Sequence, residues 1–224
     1  MDFTPILLSL KTAVAATCIT FFLGIYAAWK TANMKYGKGI LDAIFTLPMV
    51  LPPTVTGFFL LVFFGKNSLA GRVLMAHGWG LIFTWQGAVV AAVVVSFPLM
   101  YRTTRSAFEQ LDGNLLAVGR TLGLSETKIF WRVVFPNCFP GILGASILSF
   151  ARAMGEFGAT IMIAGNIPGR TQTAALAIYT AMQTGNREQA YQLVGMIILI
   201  SALAMLAMNG VNKCQAHLVR KGGN

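Results

Sequence analysis

The chain has 224 residues, of which 56% are hydrophobic and 11% are charged, and its formal net charge at pH 7 is +10. A soluble domain carries about 25% charged residues, so this composition excludes a water-soluble protein with an ordinary polar surface. The apolar runs are long and do not alternate with polar residues, which favours an all-α polytopic membrane protein over a β-barrel.

Five apolar segments reach or approach the roughly 20 residues of a membrane-spanning helix. In chain order they are residues 12–29, 43–65, 81–101, 140–162 and 190–212. The first predicts a retained helix and not a cleaved signal, because no small-residue cleavage site precedes a polar region. The more polar stretch 171–186 is the alternative sixth span; otherwise it lies along the outer interface or dips partway into the bilayer.

Lysine and arginine concentrate on one side of the predicted bundle, and short loops rich in these residues stay in the cytoplasm. The links after the first and third spans and the C-terminal tail hold Lys30, Lys35, Lys38, Arg102, Arg105, Arg120, Lys128, Arg132, Lys213, Arg220 and Lys221. The opposite loops hold only Lys66, Arg72, Arg170 and Arg187. We therefore predict a multi-pass protein with its N-terminus outside and its C-terminus inside.

Neither the cysteines nor the histidines form a chemical site. Cys18, Cys138 and Cys214 are scattered, which does not make a disulfide framework. His77 and His217 are far apart, and no cluster has metal-ligand spacing, so no metal site is predicted. A nucleic-acid partner is not expected either, since no basic patch with aromatic residues lies on a predicted water-facing surface.

The second span contains a proline-rich stretch, LPMVLPPT, with Pro48, Pro52 and Pro53. Proline removes a backbone donor and kinks a helix, and broken helices at membrane depth are tolerated where they face protein or a water-filled cavity. Pro52, Pro53 and Thr54 are therefore candidates for a pathway or gate. A static kink is the equally weighted alternative.

A basic, half-apolar insert at about residues 109–136 separates the third and fourth spans. The pattern predicts a helix, a turn at Gly123 and a second short helix that is capped at Ser125 and ends at Pro136. Such a helix, with one apolar face and no span of its own, docks in a partner's groove or lies on the inner leaflet.

The fourth span carries two opposite charges, Arg152 and Glu156, four residues apart on one helix face. Charges at membrane depth usually face a bundle interior or a wet cavity. The pair either fixes helix packing or serves as a pathway or gate for an anion. Gly141, Gly144 and Ser146 in the same span are suited to close helix packing.

The insert resembles the cytoplasmic signature loop of ABC importer permeases, in which Glu-Ala-Ala is followed by three residues, Gly, nine residues and Ile-x-Leu-Pro. Here AVG stands at the Glu-Ala-Ala place, Gly123 follows three residues later, and VVFP fits the final motif. The resemblance implies that this loop couples to an ATPase through Ala117, Val118, Gly119, Leu122, Gly123, Val133, Phe135 and Pro136. Ala117 replaces the family's Glu, which removes any salt bridge made there.

Further strings are similar to the molybdate permease branch of that family: LPMVLPPTVTGFFLLVFFG, SFPLMYRTTRSAFEQ, ARAMGEFGATIMIAGNIPGRTQT and AIYT. The resemblance implies a single type I permease domain over residues 1–224 that imports molybdate, with tungstate or sulfate as alternatives. It further implies a prokaryotic inner membrane, a homodimer, two ATP-binding cassette subunits that hold ATP and Mg²⁺, and an extracytoplasmic oxyanion-binding protein.

The chain itself is predicted not to be an enzyme and to need no cofactor. It lacks a Gly-x-x-x-x-Gly-Lys-Ser/Thr phosphate loop, so a separate chain is expected to hydrolyse ATP. A secondary anion transporter is the less favoured alternative, because it would call for inverted repeats with paired broken helices, and only one proline-rich break is clear. A membrane-embedded enzyme would need clustered catalytic groups, which the sequence lacks.

Overall fold

The computed structural model describes residues 2–34 and 36–222, and this part of the chain is helical with no strand. The elements are α1 (Thr4–Ala32), α2 (Lys38–Val50), α3 (Pro53–Phe64), α4 (Leu69–Ala76), α5 (Trp85–Glu109), α6 (Gly113–Thr121), α7 (Glu126–Ile129), a π-helical turn (Phe130–Val134), α8 (Phe135–Met154), α9 (Gly158–Ala164), α10 (Ala174–Gln183) and α11 (Arg187–Gly222). Lys35 and the side chains of Lys213, Cys214, His217, Arg220 and Lys221 lie outside the described part.

Four continuous helical stretches are long and apolar enough to cross a membrane: α1, α5, Glu126–Met154 and Arg187–Met208. The pair α2 and α3 adds a fifth crossing if it is counted as one span, and it is bent by 110°. The predicted count of five spans is therefore confirmed. Helix α10 has ten residues and is about 15 Å long, half the thickness of the hydrocarbon core, so the sixth span is not supported.

Helix α5 is the central element, because α1, α2, α8 and α9 all pack against it. The contacts are lined by small side chains, which let helix backbones approach closely in a membrane. The fully buried alanines at these contacts include Ala13, Ala16, Ala91 and Ala92. A second, larger cluster around Tyr101, Met100 and Ile142 holds one end of the bundle together.

The second span is broken where the prolines predict it. Leu51 takes an extended backbone conformation, as a residue before proline prefers, and α3 restarts at Pro53. Pro48 remains inside α2. The predicted kink is thus a full break between two helices.

The fourth span differs from the prediction, which ran it without interruption from residue 140 to residue 162. Helix α8 ends at Met154, and α9 begins only at Gly158. At the break, the Glu156 side chain accepts the hydrogen bond of the Ala159 backbone N–H at 2.8 Å, which satisfies a first-turn donor of α9 that has no partner within the helix. Glu156 therefore lies beyond the end of α8, contrary to the predicted single helix face.

The predicted end of the loop helix at Pro136 is also wrong. Helix α7 continues through the π-helical turn into α8, so that one helical stretch runs from Glu126 to Met154. Phe135 donates its backbone N–H to the Phe130 carbonyl five residues earlier. This wider turn accommodates Pro136, which has no N–H and whose ring would collide with the carbonyl four residues before it in an α-helix.

Candidate functional site

The two broken spans meet at their breaks. A Cβ atom on Gly57 of α3 would lie 2.7 Å from the Cα of Ala159, and one on Gly158 of α9 would lie 2.9 Å from the Cβ of Pro53. Real Cβ atoms do not approach other atoms so closely, so glycine is required at both positions. Helices α3 and α9 consequently lie side by side with their first residues adjacent, and we call this region the break site.

Arg152 and Glu156 link the end of α8 to the start of α9 at the break site. The Arg152 guanidinium donates to Glu156 Oε2 at 2.7 Å, while Glu156 Oε1 accepts from the Ala159 backbone. The Glu156 side chain is 2% exposed and the Arg152 side chain is 33% exposed. Glu156 is therefore fully engaged in holding the helices, whereas Arg152 uses one of its five N–H donors within the described part of the chain.

Pro52, Pro53 and Thr54 lie at the α3 side of the break site, and all three are exposed in the isolated chain. The Thr54 backbone nitrogen would lie 3.1 Å from a Cβ on Gly158, two residues after Glu156. The structure thus brings the proline break next to the segment that carries the predicted charge pair. This proximity could not be predicted from the sequence, because about 100 residues separate the two breaks.

Thr56 is a further polar group at this site. It lies in the first turn of α3, next to Gly57, and is buried. Its hydroxyl oxygen has no hydrogen-bond partner within the described part of the chain.

The insert between α5 and α8 forms the predicted helix and turn. Gly123 has φ = +71°, a left-handed conformation that favours glycine, and Ser125 caps α7 by accepting from the Lys128 backbone at 3.4 Å. Leu115, Val118 and Leu122 are exposed on α6, Leu122 to 72%. These three side chains form an unpartnered apolar stripe, which we call the α6 stripe.

The structure divides the predicted coupling residues into two groups. Ala117, Val118, Leu122 and Gly123 are exposed on α6 and its turn, whereas Gly119 is buried against Ile129. Val133 and Phe135 are half-buried and pack on the core cluster at the base of the loop, with Pro136 exposed beside them. The second group therefore supports the loop and does not form its outer surface.

An ion pair that the sequence reading missed joins the two arms of this loop. Arg120 donates to both carboxylate oxygens of Glu126, at 2.8 and 3.3 Å. These hydrogen bonds raise the pKa of the Arg120 guanidinium above its ordinary value. The loop thus has an internal salt bridge even though Ala117 stands where a glutamate was expected.

A second polar cluster, the α1–α2–α5 network, lies at the end of the bundle nearest this loop. Arg105 donates to Asp42 at 2.6 Å, to Glu109 at 2.9 Å and to the Tyr101 hydroxyl at 3.0 Å. Tyr101 in turn donates to Thr31 at 3.1 Å, and Lys38 pairs with Glu109 at 2.7 Å. The network ties three helices together, whereas the sequence analysis used only Lys38 and Arg105, for the charge that predicts the topology.

This arrangement of broken spans, a helical loop between them and a helical bundle corresponds to a known class of protein. The chain belongs to the family of inner membrane components of binding-protein-dependent transport systems, whose model matches residues 20–220. It is thus a multi-pass permease subunit of an inner membrane transport system. As such a subunit, it is not itself catalytic.

Curated relatives cover almost the whole chain. The chain is 44% identical over 205 residues to the putative molybdenum transport system permease protein YvgM of Bacillus subtilis, covering 91% of this chain and 90% of the relative. It is 41% identical to the molybdenum transport system permease protein ModB of Escherichia coli K12, covering 92% and 90%. A probable sulfate transport system permease protein of Chlorokybus atmophyticus is 33% identical, with coverage of 93% and 72%.

Solved structures share the fold at low sequence identity. An inward-facing structure of the MetNI methionine ABC transporter superimposes with a TM-score of 0.73 and 14% identity, covering 94% of both chains. A bacterial ABC transporter that imports the acidic polysaccharide alginate gives a TM-score of 0.66 at 13% identity, covering 97% of this chain and 80% of the other. The fold is therefore that of type I ABC importer permeases.

Proposed function

We propose that this chain is the transmembrane subunit of an ATP-driven importer that carries molybdate across the cytoplasmic membrane. The main support is that molybdenum permeases from several bacteria match more than nine tenths of the chain at 37–44% identity. The break site supports an anion as cargo, because it places an arginine with spare N–H donors at membrane depth.

The direct test is uptake of labelled molybdate by membrane vesicles that contain the complete transporter. We expect uptake that depends on ATP and is strongly reduced by excess tungstate but only weakly by sulfate. Equal inhibition by sulfate would favour the second candidate, a sulfate permease, to which the 33% identical relative points. Absence of any oxyanion uptake by an assembled complex would rule out both candidates.

The proposed transporter contains two copies of this chain, two ATP-binding cassette subunits that hold ATP and Mg²⁺, and an extracytoplasmic oxyanion-binding protein. The family description supports a binding protein, and the absence of a phosphate loop supports a separate ATPase. Native mass spectrometry of the purified complex measures this composition. A complex with a single permease chain would contradict the homodimer.

We place the N-terminus outside and Gly123 inside, from the distribution of lysine and arginine. A Gly123→Cys variant, in a chain whose Cys18, Cys138 and Cys214 are replaced by serine, tests this orientation. A membrane-impermeant maleimide should label position 123 in inside-out vesicles and leave it unlabelled in intact cells. The opposite result would reverse the topology.

The α6 stripe is the proposed contact with the ATPase. Three exposed apolar side chains on a loop without a span of its own are what an amphipathic helix presents to a hydrophobic groove. Leu122→Glu should therefore uncouple ATP hydrolysis from uptake while the permease still inserts. Thr121→Glu is the matched control: it adds the same charge at an exposed residue of α6 that is neither in the stripe nor among the predicted coupling residues, and it should leave coupling intact.

Arg152, Pro52, Pro53 and Thr54 are the proposed pathway residues, with Glu156 as the residue that positions Arg152. Arg152→Lys keeps the positive charge and the partner Glu156, but it loses the planar guanidinium with its five donors. If Arg152 contacts the anion, uptake per assembled complex should fall in the lysine variant. Uptake equal to that of the unaltered protein would leave Arg152 only a packing role.

A further inference from the structure

A cavity of about 570 Å³ lies between the end of α5 and the start of α8, on the loop side of the bundle. It shares no lining residue with the break site or the α6 stripe. Its polar lining consists of side chains from both helices: Arg102, Thr103, Ser106, Gln110 and Asn137.

The charge of this cavity is uncompensated. Within the described part of the chain, Arg102 makes no salt bridge, although Arg105 one turn later has two carboxylate partners. None of the seven acidic residues of the chain lines the cavity. A guanidinium without a carboxylate is the side chain best suited to an oxyanion with several acceptor oxygens.

The neutral side chains around Arg102 are also suited to binding an anion, because they are hydrogen-bond donors. The Thr103 and Ser106 hydroxyls and the Gln110 and Asn137 amides can donate hydrogen bonds. The Asn137 amide donates one N–H to the Val133 carbonyl at 2.6 Å and keeps the second for a ligand. Gln110 donates to the Ser106 hydroxyl at 3.0 Å, which leaves the Ser106 proton free to turn toward a ligand. The cavity therefore offers one cation and several neutral donors, a combination that suits a small, tetrahedral, doubly charged anion.

The position of the cavity relates it to the break site. Gly141 lines the cavity, and Arg152 lies eleven residues further along α8. Eleven residues are close to three full turns, so the two positions share one face of the helix and are about 16 Å apart along its axis.

We propose that this cavity is a low-affinity site for a tetrahedral oxyanion, occupied by the transported anion as it leaves the permease. The proposal rests on the proposed function and on the proposed orientation, which places the cavity on the cytoplasmic side. Weak binding follows from the exposure of Arg102, Ser106 and Gln110, whose contacts compete with water. Weak binding is also what release of the cargo requires.

Protection of a cysteine tests this site without relying on uptake. Leu111 lines the cavity but offers no donor, so Leu111→Cys in the chain that otherwise lacks cysteine reports occupancy. In the purified complete transporter, reconstituted in phosphatidylcholine vesicles, millimolar molybdate should slow maleimide labelling of position 111 severalfold. Tungstate should act similarly.

Two variants make the test specific. Arg102→Gln should abolish the protection by molybdate. Arg132→Gln removes the same charge from the same side of the protein, at an exposed residue that does not line the cavity, and should leave protection intact. Protection that persists in Arg102→Gln, or is lost equally in both variants, overturns the proposal.

A lipid phosphate presents the same acceptor oxygens as a free oxyanion. A further set of vesicles therefore distinguishes lipid binding from oxyanion binding. Vesicles that contain phosphatidylglycerol and no molybdate should label at the same rate as phosphatidylcholine vesicles. Protection by this lipid alone would assign the cavity to lipid headgroups and overturn our proposal. Absence of protection by molybdate in a complex that imports molybdate normally would overturn the site while leaving the proposed function intact.

Discussion

Two arginines in this chain each have a glutamate four residues later, Arg105 with Glu109 and Arg152 with Glu156, and both pairs form. The surroundings of the two pairs are different. Arg105 has Asp42 and Tyr101 as additional partners, and Glu109 has Lys38. Arg152 has no second partner within the described part of the chain, and Glu156 holds a backbone N–H as well.

An i,i+4 spacing therefore predicts that two charges pair, but it does not predict how much the pair stabilises the fold. Glu109 is 41% exposed, so water and two cations share the interaction. Glu156 is almost fully buried, and nothing else accepts the bonds that it accepts. Loss of one partner of a buried pair leaves an uncompensated charge, whereas exposed pairs contribute little.

The largest effect is expected for Glu156→Ala. It leaves Arg152 without its carboxylate and the start of α9 without its cap, so the free energy of unfolding should fall by about 3 kcal/mol. Denaturant titration of the purified chain in detergent, followed by tryptophan fluorescence, measures this change. A loss of less than about 1 kcal/mol would mean that the Arg152–Glu156 pair stabilises the fold no more than an exposed ion pair does.

Gly57→Ala should have the next largest effect, because a methyl group there collides with the backbone of Ala159. Overpacking of this kind costs about 1–3 kcal/mol. Gly144→Ala is the matched control, since its methyl group meets no atom within 4 Å and should not destabilise the chain. Equal Tm values for the two variants would show that the close contact of α3 and α9 is not required.

Tyr101→Phe tests the network around the more exposed pair, Arg105 and Glu109. It removes the hydroxyl that bridges Arg105 and Thr31 but keeps the ring packed against Phe45 and Phe97. We expect a loss of about 1 kcal/mol, typical of one hydrogen bond, because Asp42 and Glu109 still hold Arg105. A loss as large as that of Glu156→Ala would mean that the network acts as one cooperative unit.

The smallest effect is expected for Glu109→Ala, at about 0.5 kcal/mol. Arg105 keeps Asp42, and Lys38 is exposed enough to return to water. The same denaturant titration compares it directly with Glu156→Ala, the substitution at the equivalent place of the other pair. If Glu109→Ala destabilised the chain more than Glu156→Ala, the exposed pair and not the buried pair would be the more important for stability.

The sequence predicted the elements whose signal is local. Long apolar runs predicted the five spans. Pro52 and Pro53 predicted the break in the second span. Gly123 and Ser125 predicted the turn and the helix cap of the loop. These features depend on residues within one or two turns of each other. They could be predicted because the physical cause and its effect lie in the same short stretch of chain.

The features that the sequence did not predict depend on distant partners. The contact of Gly57 with Ala159 and the bond from Tyr101 to Thr31 join residues far apart in the chain. The end of α8 at Met154 was missed for a related reason. A glutamate four residues after an arginine predicts an ion pair, whereas its acceptance of the Ala159 N–H depends on where the helix breaks.

The bend between α2 and α3 bears on the lipid around the protein. The two helices contain 13 and 12 residues, so they are about 20 and 18 Å long. Joined at a 110° bend, they reach only about 21 Å from end to end, less than the roughly 30 Å of a bilayer's hydrocarbon core. A span this short is accommodated by local thinning of the bilayer, so we expect headgroups and water to approach the break site at this corner of the protein.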